Sequence, residues 1–68
     1  MKKHKLSDWQ SGDTIPELDG VYQRKNQFGI FYALFQAGLW MVACTSPIKA
    51  EKETLVTLWQ GFEWRGIL

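Results

Sequence analysis

Nucleophilic catalysis needs an oxygen or sulfur nucleophile with a base held beside it, most often histidine. The chain has one histidine, His4, and one cysteine, Cys44. His4 sits among Lys2, Lys3 and Lys5, where no neighbouring element fixes its ring. Cys44 closes the apolar run Leu39-Trp40-Met41-Val42-Ala43-Cys44, where a thiol acts as a small hydrophobe with a raised pKa rather than as a reactive thiolate. One histidine and one cysteine cannot build a zinc site of the usual kind, which draws on several converging ligands. Asp8, Asp13, Glu17 and Asp19 alternate with turn residues, a pattern of Asx turns and solubilising charge rather than of a paired acid and base. Glu51 and Glu53 are two apart and would not share a helix face. The six glycines are scattered, and none forms a phosphate-cradling loop ahead of a helix. The chain therefore reads as non-enzymatic, with no catalytic residue, metal site or cofactor.

Recognition chemistry is better represented. Four tryptophans, Trp9, Trp40, Trp59 and Trp64, are spread along the chain. The ending Trp59-Gln60-Gly61-Phe62-Glu63-Trp64-Arg65-Gly66-Ile67-Leu68 is rich in aromatics, and Arg65 could stack on Trp59 or Trp64. Two readings stand for it: a closing strand that packs its rings onto a sheet, or a presented epitope, since Trp and Arg are favoured binding anchors. A single-stranded nucleic-acid binder would instead use Tyr22, Phe31, Tyr32 and Trp40 as stacking platforms, with Arg24, Lys25 and the basic arm on the backbone. Charge opposes that second use. Beyond Lys2, Lys3 and Lys5, five basic side chains face seven acidic ones, and a net-acidic body works against the electrostatic term that dominates nonspecific affinity. The candidate interaction residues are Tyr22, Arg24, Trp40, Trp59, Trp64 and Arg65.

The elements that must position these residues are few. A chain of 68 residues buries only about 60% of its unfolded surface, so its margin of stability is thin. A 46% hydrophobic and 15% aromatic composition offsets this, because each large aromatic can bury on the order of 150–250 Å². A lone cysteine excludes an internal disulfide and fits a reducing compartment. No apolar stretch follows the basic start as in a signal peptide, and none approaches the ~18 residues of a membrane span, so cytoplasm is expected. Met1–Lys5 reads as a disordered basic arm and residues 6–68 as a single small sheet domain.

Leu6 to Gly20 is dense in turn formers and reads as an irregular strap that pins Trp9, Ile15 and Leu18 to a core. Val21–Lys25 and Phe28–Gln36 are strands, Ala37-Gly38 a two-residue turn, and Leu39–Cys44 a third strand, together an antiparallel meander. Ser46 can cap a helix that begins at Pro47. Beyond it β-branched Thr54, Val56 and Thr57 favour extended chain, leaving helix, strand and loop open over residues 47–58. The expected class is α+β: a three-stranded antiparallel meander, an N-terminal strap, a short helix or loop and a C-terminal aromatic strand. The second strand is apolar on both faces, with Phe28, Ile30, Tyr32 and Leu34 opposite Phe31, Ala33 and Phe35. Both faces need cover, and any part left uncovered marks an interface.

Trp9 with Gly12, Pro16, Gly20-Val21-Tyr22-Gln23-Arg24, Tyr32, Gly38-Leu39-Trp40, Gln60 and Trp64-Arg65-Gly66 form a spaced series. It resembles a group of short phage and prophage proteins with a W-x-x-G…P…G-V-Y-x-R…Y…G-x-W…Q…W-R-G layout. Phe35 and Glu63 depart from that layout, which has tryptophan and proline there. The resemblance implies a phage-encoded protein in bacterial cytoplasm and carries no catalytic residue with it. The expected role is a non-enzymatic accessory protein acting by protein–protein contact, with itself as a homodimer or with a host protein. Single-stranded nucleic-acid binding is the alternative.

Overall fold

A computed structural model describes residues 8–66 of the chain; His4 and the expected basic arm Met1–Lys5 lie outside them. Four strands and one helix run in the order β1 (Gly20–Asn26), β2 (Gly29–Gln36), β3 (Leu39–Trp40), α1 (Pro47–Glu51) and β4 (Glu63–Arg65). The strands form one antiparallel sheet in the order β3-β2-β1-β4. The meander is thus extended to four strands: the C-terminal aromatic strand adds to the free edge of β1, pairing Arg24 with Trp64.

Local chemistry explains the turns. Asn26 Oδ1 accepts the Phe28 N–H at 2.8 Å, an Asx turn that lifts Phe28 out of the strand the sequence assigned it to. Ala37 and Gly38 both take positive φ, +55° and +83°, as the tight two-residue hairpin requires. The third strand is shorter than the expected Leu39–Cys44. Phe35 pairs with Trp40, whereas Tyr32 pairs with Cys44, so β3 carries one residue more than β2 between these pairs. That extra residue breaks the ladder as a bulge does. Val42 instead donates its N–H to the Leu55 carbonyl, and Thr57 donates to Trp40 O, so extended residues 55–57 line the far edge of β3.

Ser46 Oγ accepts the Lys49 N–H and Pro47 opens α1, as the capping pattern predicts. The helix lasts five residues and buries Ala50. The strap is irregular and differs from expectation in what it buries. Ile15 and Leu18 are exposed, and Pro16 is buried in their place. The strap is held by polar contacts: Trp64 Nε1 donates to Thr14 O, the Tyr22 hydroxyl donates to Leu18 O, and Gln10 pairs with Trp64. Gly12 lies so close to Gly61 that a Cβ there would overlap its carbonyl, which ties the strap to the C-terminal segment and excludes any side chain.

Alternation along β1 and β2 places Tyr22 and Arg24 on one face with Phe31, Ala33 and Phe35. Ala33, Phe35 and Trp40 form the buried cluster there, with Tyr22 and Trp64 packed against it. Met41 sits across from Leu34 and so points to the other face. Cover runs out at the β1–β2 turn, where Phe28 is exposed in the turn and Ile30 is exposed on the face opposite the cluster.

Candidate functional site

The site is built around Arg24. Its place in β1 turns it inward, and its side chain is 1% exposed. The guanidinium carbon lies 4.4 Å from the Trp40 ring centroid and 5.1 Å from that of Phe62. Such rings attract a cation through their negative faces. Burial, with no other cause, pulls the Arg24 pKa down to about 10, so the group remains charged at neutral pH. No described residue accepts a hydrogen bond from its Nε or Nη2.

The rings that hold Arg24 are themselves ordered. Tyr22 meets Trp40 and Trp64 edge-on, at 5.9 and 5.5 Å between centroids. Phe35 packs on Trp40 at 4.9 Å. Trp40 is 1% exposed and its backbone is clamped by one side chain. Gln60 Oε1 accepts the Trp40 N–H at 2.9 Å, while its Nε2 donates to Trp40 O and Thr57 O. The clamp fixes the irregular chain that carries Trp59 and Phe62 back to β4.

That chain and the β1–β2 turn enclose a cleft. A cavity of about 320 Å³ is lined by Arg24, Phe28, Ile30, Phe31, Trp59 and Phe62 among others. An adjoining depression of about 520 Å³ shares Asn26, Phe28, Trp59 and Phe62 and adds Gln27. Phe62 meets Phe31 edge-on at 6.0 Å and stacks on Trp59 at 6.3 Å with an 11° tilt. Phe28 is 86% exposed and Trp59 66% exposed, so the mouth of the cleft is aromatic and open to water.

The six residues singled out in the sequence therefore separate. Arg24 and Trp59 come together at the cleft; Tyr22, Trp40 and Trp64 form the ring stack behind it. Arg65 lies on the other face of the sheet. Its guanidinium is 4.4 Å from the Trp9 ring centroid, rather than on Trp59 or Trp64, and its Nε donates to Gln23 Oε1 at 2.8 Å. Lys25 also lies over Trp9, at 4.5 Å, and pairs with Glu63 at 3.4 Å. Of the rings a stacking platform for bases would need, Tyr22 packs on buried Trp40, half-buried Phe31 packs on Phe62, and half-buried Tyr32 lies on the opposite face of the sheet.

Sequence reasoning did not pick out Phe28 or Phe62 as site residues. Phe28 follows the Asn26-Gln27 turn signal directly, which is the clue to its exposure; Phe62 carries no local clue. Cys44 is half-buried and its thiol lies 3.8 Å from Glu53 Oε1. Burial, then the Glu53 charge, push its pKa up, away from nucleophilic chemistry. Among the described residues no three His, Cys, Asp or Glu side chains converge to hold a metal, and no helix is long and apolar enough to cross a membrane. Comparison of the chain with protein-family models, curated proteins and solved structures finds no match.

Proposed function

We propose that the protein is a non-enzymatic phage or prophage accessory protein that acts by protein–protein contact in the bacterial cytoplasm, and that the cleft between the β1–β2 turn and residues 57–62 makes that contact. One observation carries the reading: Phe28 and Trp59 are both exposed and both line the same two adjoining, mostly apolar depressions. Scattered exposed hydrophobics need no explanation, but neighbouring aromatics at the mouth of a cavity are what binding anchors look like. The phage setting rests on the spaced Gly20-Val21-Tyr22 and Trp64-Arg65-Gly66 motifs. The net-acidic body and the packed rings favour protein over single-stranded nucleic acid as partner.

Phe28→Ser combined with Trp59→Ser tests this, because both side chains are largely in water and their loss leaves the ring stack intact. Tagged wild type and variant are passed through nuclease-treated bacterial lysate, and both are sedimented alone. The expected result is an unchanged fold with loss of a captured protein, or of a dimer that wild type forms. Identical capture and identical sedimentation of the two proteins would overturn the assignment.

A further inference from the structure

An apolar contact leaves one group in this cleft unused. Rings attract the Arg24 charge but accept none of its hydrogen bonds in the ordinary sense. The two nitrogens without an acceptor are Nε and Nη2. These form the side edge of the guanidinium fork, the edge that takes a carboxylate in two parallel N–H···O bonds. Arg65, the other arginine of the sheet, already uses its Nε on Gln23. Arg24 is thus a cation with its recognition edge unspent, buried in the wall of a cavity whose remaining lining is mostly apolar.

We propose that this cavity binds a carboxylate borne by a partner polypeptide, with Arg24 on the carboxylate and Phe28, Ile30 and Trp59 around the apolar group beside it. The inference rests on the reading of the cleft as a protein-contact surface and names the chemistry that surface takes. The Phe62 ring lies beside the guanidinium, its centroid 5.1 Å from the central carbon, and its segment carries no regular structure before β4. Nε and Nη2 are buried, so a carboxylate must displace a neighbouring side chain to reach them, and a turn of the Phe62 ring would disturb its stack with Trp59. Binding at Arg24 is therefore visible in the Trp59 indole N–H resonance. The adjoining depression gives the rest of the peptide a path out past Asn26 and Gln27.

The test uses ¹⁵N-labelled full-length protein and four probes: Gly-Leu-Phe with a free carboxylate, the same peptide as its amide, a capped peptide with Glu beside Leu, and phenylpropionate. At least one carboxylate peptide should saturate, moving the Arg24 Nε–H and Trp59 indole N–H resonances together; which one does so separates a chain terminus from an acidic side chain. The amide should bind about tenfold or more weakly, the value of a bidentate charged pair. Arg24→Met should abolish that discrimination while melting no lower than wild type, since an unpaired buried charge is replaced by an apolar chain of similar length.

Equal binding of acid and amide, or no movement of the Arg24 resonance with either carboxylate peptide at millimolar concentration, would overturn the proposal. Response to phenylpropionate alone overturns the polypeptide as source. A markedly lower melting point for Arg24→Met without any carboxylate response makes Arg24 a structural post. If Phe28→Ser/Trp59→Ser loses the partner and Arg24→Met keeps it undiminished, the carboxylate inference falls and the contact surface stands. If neither variant changes capture, the contact surface itself falls.

Discussion

The two faces of β1 use the same interaction with different outcomes. On one face Arg24 lies over Trp40 and Phe62, buried and with two nitrogens lacking acceptors. On the other, Lys25 and Arg65 both lie over Trp9, and each has a polar partner as well, Glu63 and Gln23 respectively. Cation–ring distances barely differ, at 4.4 to 4.5 Å over the tryptophans. What differs is water and hydrogen bonding. Half-exposed cations over Trp9 keep their hydration and their acceptors, so the contact adds to groups already satisfied. At Nε and Nη2 Arg24 has given up hydration for ring faces alone, which hold the charge without using those donors. Proximity of a cation to a ring is therefore not the sign of a binding site; the unspent donors are.

The largest expected effect breaks the inner face. Trp40→Ala removes the ring under Arg24, two edge-on aromatic partners and the side chain of the buried cluster. Truncating a buried tryptophan costs about 3–5 kcal/mol, comparable to the whole stability of a domain this small. The expected result is an unfolded or barely folded chain, seen as lost dispersion in NMR spectra and no cooperative urea transition. Its counterpart Trp9→Ala should cost about 1–2 kcal/mol, because each of its two exposed cation–π contacts is worth about 0.5–1 kcal/mol. Similar losses for the two would mean that the faces are energetically alike.

A smaller effect sharpens the contrast through pH. Below pH about 10, the value to which burial draws Arg24, folded and unfolded chains both carry its charge and the fold bears the full cost of burying it. Above that, the folded state releases the proton more readily than the unfolded state does, so stability from this group rises with pH. Tyr22 works the other way. Burial, then the Asp19 charge, raise its pKa, so the unfolded phenol ionises first and stability falls as pH climbs past about 10. Setting wild type against Arg24→Met cancels the Tyr22 contribution. The advantage of Arg24→Met should hold steady up to about pH 9 and shrink toward pH 11, read from thermal melts. A constant gap would mean that the guanidinium is not desolvated.

Much of this fold is legible in the sequence where the signal is local. Ala37-Gly38, Ser46-Pro47 and the alternation of β1 and β2 each depend on a few neighbouring residues, and the structure follows them. The end of β3 does not: the ladder shifts by one residue between Trp40 and Cys44, and the outward Val42 N–H and Trp40 carbonyl are met by residues 55–57 from further along the chain. The Gln60 clamp is equally remote from what it holds. At the site, Trp59 is legible as part of the aromatic ending of the chain, but an arginine in an alternating strand gives no hint of being buried. Arg24 is buried because Trp40 and Phe62 arrive from two other parts of the chain, which no pattern around residue 24 encodes. Arg65 lies on Trp9 rather than on its neighbours for the same reason: β4 pairs with β1 at the end the strap crosses.

The smallest effect lies on the outer face. Lys25 and Glu63 meet at 3.4 Å with side chains 36% and 52% exposed, opposite each other on β1 and β4. Exposed pairs of this kind are worth about 0.2–1 kcal/mol, because water screens them and two long side chains must be held still. Lys25 retains the Trp9 ring when its partner loses charge. Glu63→Gln should therefore cost under about 0.5 kcal/mol in urea titrations, and the difference from wild type should vanish near 1 M salt, where charges are screened within about 3 Å. A loss above about 1 kcal/mol that salt leaves intact would place Glu63 in a dry network. Lys25 and Arg65 would then share the buried condition of Arg24, and the unspent edge of Arg24 would be the only difference between the two faces.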